Sequence, residues 1–123
     1  MTNPAPMQLT ERSPFWFPEL PDKLSRAVKE YKLVERPDWQ PLEELSNQTL
    51  FEGIEVYGDA AVIEGDALIA PATIYVRLTY DPNSDDVVSF EDSYPARVFF
   101  SSDSKEKRVT VNKIHVDTTS FFQ

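Results

Sequence analysis

Leu24, Ala27, Val28, Tyr31 and Val34 recur at the spacing of one helical face, which predicts a helix over Asp22–Glu35. Pro21 and Asp22 suit its first turn and Pro37 its stop. A shorter helix is expected from Pro41 to about Asn47, with Leu42 and Leu45 inward. The hydrophobic period then changes to two. Leu50, Ile54 and Val56 read as one face of a strand, with Phe51 and Tyr57 on the other. Ala60–Ile63 and Ala67–Ala70 are short apolar pieces around a turn at Glu64, Gly65 and Asp66. Over Thr73–Tyr80, Ile74, Val76, Leu78 and Tyr80 alternate with Thr73, Tyr75, Arg77 and Thr79. Asp81–Asp85 reads as a turn, Val87–Phe90 as a short strand, and Ala96–Ser102 with Arg108–Val116 as a hairpin. Val109 and Val111 share one parity while Ile114 and Val116 share the other. A β-bulge near Asn112 and Lys113 leaves that phase change.

The order of elements predicts an α+β fold: one or two N-terminal helices packed on a mainly antiparallel β-sheet or β-sandwich of about six strands. Residues 1–21 read as an extended arm, because Pro4, Pro6, Pro14, Pro18 and Pro21 forbid a continuous helix. Residues 22–117 form the domain, and 118–123 an aromatic tail. Phe15, Trp16 and Phe17 in the arm, and Phe121 and Phe122 in the tail, are too apolar to face water cheaply. Each set either folds back on its own domain or docks into a neighbour.

Composition narrows the classes. There is no cysteine, which excludes disulfides and thiolate metal sites. No stretch approaches the ~20 apolar residues of a membrane span, and the start, Met1 to Gln8, has neither the basic end nor the apolar run of a signal peptide. The expected setting is cytoplasmic, or a particle assembled inside a cell. The net charge of −9 is unevenly spread. Asp22–Arg36 holds five bases and three acids, Asp38–Asp92 thirteen acids and one base, and Arg97–Lys113 five bases and two acids. Two modest basic segments therefore flank an acidic middle.

Candidate chemistry is sparse. His115 is the one histidine and has no nucleophile in an elbow-like context beside it, so a structural role is expected. Asp81, Asn83, Asp85 and Asp92 stand at positions one, three, five and twelve of a calcium loop. Asp86 replaces the glycine such a loop needs at position six, and a hairpin turn explains the same residues. No metal or other cofactor is expected. Lys105, Lys107, Arg108 and Lys113 make a basic hairpin with Phe99 nearby, a set that suits a single strand. The overall charge opposes that encounter, so nucleic acid is not the expected partner.

Val62 to Asp81, VIEGDALIAPATIYVRLTYD, and Pro95 to Val111, PARVFFSSDSKEKRVTV, resemble the paired strands of the cytosolic β domain in the J-protein subunit of the endoplasmic-reticulum translocation complex. The resemblance implies a helical segment leading into an immunoglobulin-like sandwich that works by protein contact. No residue role is carried over from it.

The expectation from the sequence is thus a non-catalytic structural or protein-interaction module, not an enzyme. It would assemble, with itself or another protein, through Phe15, Trp16, Phe17, Phe121 and Phe122. Two alternatives stay open. One is an acidic inhibitor that presents Glu52, Glu55 and Asp59 to a basic target. The other is a small ligand-binding or enzymatic domain whose cavity Tyr57, Tyr75, Tyr80 and Tyr94 would line.

Overall fold

Two long strands form the spine of the molecule. In a computed structural model that describes residues 7–9, 13, 16–65, 67–103 and 105–122, β4 (Ala67–Tyr80) and β5 (Val88–Asp103) pair antiparallel from Leu68 with Phe100 to Tyr80 with Val88. On one side of β4 lie β3 (Val62–Glu64) and then β2 (Gln48–Val56), end to end. On the far side of β5 lies β6 (Arg108–Val116). A two-residue strand, β1 (Met7–Gln8), pairs with β3. The six strands make one curled antiparallel sheet. Helix α1 (Leu20–Glu30) packs against β6 and β2, and the four-residue α2 (Gln40–Glu43) against β2.

The α+β class is as expected, but the sheet curls into a half-barrel rather than a sandwich. The reason lies in two prolines. Pro71 and Pro95 fall outside the short strands that the hydrophobic pattern predicts, yet β4 and β5 run straight through them. The Pro71 carbonyl accepts from Tyr57 N–H at 2.9 Å, and the Pro95 carbonyl from Asp117 N–H at 2.9 Å. In a strand, a residue's N–H and carbonyl point the same way, so each missing N–H falls at a seam. Pro71 sits where β3 hands over to β2, and Pro95 where pairing with β6 begins. A proline at such a place removes no ladder bond. The strands therefore stay long, and helices cover the concave face in place of a second sheet.

The core follows strand parity. Ile74, Val76 and Leu78 of β4 and Tyr94, Ala96, Val98 and Phe100 of β5 are buried against Leu20, Leu24, Ala27 and Val28 of α1. The expected bulge in the last strand is present. Phe99 pairs with Lys113 and Phe100 with Val111, leaving Asn112 extra, so Val109, Val111, Ile114 and Val116 all turn to the core side. A second bulge at Glu52 was not anticipated. Phe51 pairs with Val76 and Gly53 with Tyr75, which puts Phe51 on the inner face with Ile54 and Val56 and leaves Leu50 outside. The ring of Phe51 meets Trp39 edge-on at 6.0 Å.

The turn between β3 and β4 needs its glycine. Gly65 has φ +63°, a left-handed conformation in which a Cβ is strained. Gly65→Ala should cost about 1 kcal/mol, read as a lower urea midpoint with an unchanged slope.

Candidate nucleic-acid interface

The two basic segments of the sequence meet in space. Apolar spacing turns Leu24, Ala27 and Val28 of α1 to the core, which leaves Lys23 and Arg26 on the flank towards β6. The β5–β6 turn is tied by Asp103, whose carboxylate accepts from the N–H groups of Lys105 (2.9 Å) and Glu106 (3.3 Å). Lys107 closes the turn in a left-handed conformation, φ 51°. Its carbonyl accepts from the Lys23 ammonium, a contact across 84 residues of chain. Its own ammonium lies 3.8 Å from Glu19.

Between these walls runs a groove of about 290 Å³, bordered by Lys23, Arg26, Lys107 and Arg108, with Glu30 and Glu106 the acids beside them. It continues for about 220 Å³ past Ala27, Glu30 and Val109 to Tyr31 and Arg36. Arg36 lies 4.7 Å from the Tyr31 ring centre and donates to the Tyr31 carbonyl at 2.9 Å. The Tyr31 hydroxyl donates to Asp38 at 2.5 Å, and the same carboxylate accepts the Ile114 N–H of β6 at 3.0 Å. Burial first, then the hydrogen bond and charge of Asp38, push the Tyr31 phenol up to about 12. The groove thus has five cations against two acids in a chain of net charge −9. Arg108 is well exposed, and its ion pair to Glu106 at 3.4 Å is exposed as well. Such pairs are weak and exchange readily for phosphate.

Other residues singled out from the sequence are dispersed. Phe99 belongs to the outer face, 5.3 Å from the Arg97 guanidinium and 4.5 Å from the Lys113 ammonium, away from the turn that carries Lys105, Lys107 and Arg108. His115 is exposed opposite Arg97 on the outer face. Tyr57 and Tyr75 are exposed on that face, while Tyr94 is buried and Tyr80 half-buried within; opposite strand parity prevents the four from lining one cavity. Glu52 pairs with Arg77 at 3.0 Å, and Glu55 accepts from Tyr57 at 2.9 Å. Asp92 accepts from Tyr94 hydroxyl and Ser93 N–H rather than turning to Asp81 and Asp85. Among the described residues, no three His, Cys, Asp or Glu side chains come together in a group that could hold a metal ion. No described helix is long and apolar enough to cross a membrane.

Of the terminal aromatics, Phe17 is buried in its own core and Trp16 and Phe121 pack half-buried against it. Phe122 is 75% exposed, edge-on to Phe121 at 5.1 Å. Phe15 lies outside the described residues. The sequence missed the joining of Lys23 and Arg26 to Lys107 and Arg108. Its one trace was the pair of basic segments flanking the acidic middle.

No curated protein and no solved structure matches the chain. A family model does, over residues 19–122, under the description predicted pPIWI-associating nuclease. That match overturns the expectation of a non-catalytic structural module held together by its aromatic termini, since the family is described by nuclease function. The match spans both helices, β2 to β6 and both walls of the basic groove, and by it the chain belongs to the family of predicted pPIWI-associating nucleases.

Proposed function

We propose that this domain belongs to a nuclease that works beside a pPIWI protein, and that the groove between α1 and β6 receives the phosphate backbone of its nucleic acid. The convergence of Lys23, Arg26, Lys107 and Arg108 on one groove carries this reading. The family's description supports both the nucleic acid and the protein partner. It also removes the ground for setting nucleic acid aside: net charge governs the distant field, whereas phosphates are bound by the local one. The 11 residues of α1 give the groove a wall about 16 Å long, enough for several phosphates of one strand. The groove's residues recognise phosphate, and that is the role assigned to them.

Fluorescence anisotropy with labelled single-stranded and duplex oligonucleotides tests the proposal. Four phosphate contacts predict a log–log salt slope of about −2.8 on a single strand and about −3.6 on a duplex. Lys107→Glu with Arg108→Glu should weaken binding at least about tenfold and flatten that slope by one to two. Affinity that ignores both substitutions, or does not change with salt, would show that the groove is not the site.

A further inference from the structure

A second groove runs along the other flank of α1, and its chemistry is the opposite of the first. Val28, Leu33, Val34, Phe51 and Ile54 wall an apolar concavity of about 630 Å³ between α1, the 3-10 turn Leu33–Glu35 and β2. It continues for about 400 Å³ along Ile54 and Val56. Val34 is 51% and Phe51 39% exposed in it. Among the described residues β2 pairs only with β4, so the strand that borders this groove keeps one edge unpaired.

We infer that this groove docks an extended segment of a partner protein, added as a strand on β2, with aliphatic side chains in the concavity and a carboxylate towards α1. The inference rests on the reading that the domain works beside a protein partner, and it names where and by what chemistry. Shape argues for a peptide. From Phe51 to Val56 the open edge is about 20 Å long, more than one compact ligand covers, and free strand edges match only another extended backbone. Charge argues for the carboxylate. Lys29 and Lys32 stand on the rim with no ion pair among the described residues and outnumber Glu35 beside them, whereas Glu55 on the β2 side is engaged by Tyr57 and Tyr75. A second copy of this chain is a poor occupant. Pairing β2 with its copy would bring Glu52 and Glu55 of one molecule close to those of the other, on two molecules of charge −9.

A library of random 12-residue peptides displayed on phage, selected on the whole chain, tests the inference. Enriched sequences should combine aliphatic residues with Asp or Glu. Val34 lies in the groove and is half-exposed. Val34→Glu should therefore put a charge into the apolar concavity without disturbing the core, and lower the affinity of a selected peptide at least tenfold. If that variant does not fold, Val34→Asn makes the same test. Lys29→Glu with Lys32→Glu should weaken the peptide as well. Lys107→Glu with Arg108→Glu should leave the peptide bound while nucleic acid is lost, so the two readings fail separately. No enrichment, enriched peptides that bind Val34→Glu unchanged, or a dimer by light scattering that Val34→Glu abolishes would each overturn the inference.

Discussion

Phe100→Ala should cost the protein about 3–5 kcal/mol, a large share of the 5–15 kcal/mol that holds a typical domain folded. Phe100 is 1% exposed. It stands in register between Leu68 of β4 and Val111 of β6, beneath the helix, where truncation leaves a cavity that long continuous strands cannot close. Its neighbour Phe99 is the control. It has the same side chain on the same strand, but faces outward under Arg97 and Lys113. Phe99→Ala should cost about 1 kcal/mol, the loss of partial burial and of two exposed cation–π contacts. Urea unfolding followed by tryptophan fluorescence measures both. Equal costs for the two would mean that the strand does not present these faces.

Strong alkali should unfold the protein through two phenols. Tyr31 donates to Asp38, and Tyr94 to Asp92 at 2.9 Å. Burial is the first cause that raises both, with the carboxylate beside each adding to it. Tyr31 is pushed up to about 12, and Tyr94 also lies well above its ordinary value. In the unfolded chain both lose their protons near pH 10. Above that pH the folded state binds more protons than the unfolded one, so stability falls as pH rises. It is fully present below about pH 10 and goes on being lost until pH passes the folded values. The slope is at most about 1.4 kcal/mol per pH unit for each tyrosine. Absorbance at 295 nm against circular dichroism follows it, and in the folded protein tyrosinate from Tyr31 should appear only towards pH 12. Tyr31→Phe with Tyr94→Phe should flatten the stability profile between pH 10 and 12, despite a lower plateau at neutral pH. An unchanged slope in the double variant would assign the loss to other groups.

Much of this architecture was legible where a residue's effect is local. The spacing of Leu24, Ala27 and Val28 marks α1, and the parity change between Val111 and Ile114 marks the bulge at Asn112. Helix α1 begins at Leu20 and ends at Glu30, two residues earlier and five earlier than its periodicity indicated. The αL turn at Lys32 stops it, and the 3-10 turn behind keeps Leu33 buried. Elsewhere the outcome depends on what lies alongside. Pro71 and Pro95 fall between the short strands of the pattern, because a sequence does not say which edge of a strand is unpaired at a given residue. The bulge at Glu52 was hidden because Leu50 and Phe51 are both apolar, so either could face inward. The basic groove was hidden for a related reason. Lys23 and Lys107 each look like solvated surface until the helix is laid against the last strand.

The Lys23–Lys107 contact joins the first helix to the last hairpin across 84 residues. The groove therefore has no existence in either half of the chain alone, and it is lost whenever α1 lifts from β6, even if the sheet stays intact. A strand bound there bridges both walls and acts as a removable clasp. By linkage its occupancy counts against every opening in which the helix departs. Protection of α1 amides from hydrogen exchange thus becomes a gauge of whether the groove is filled.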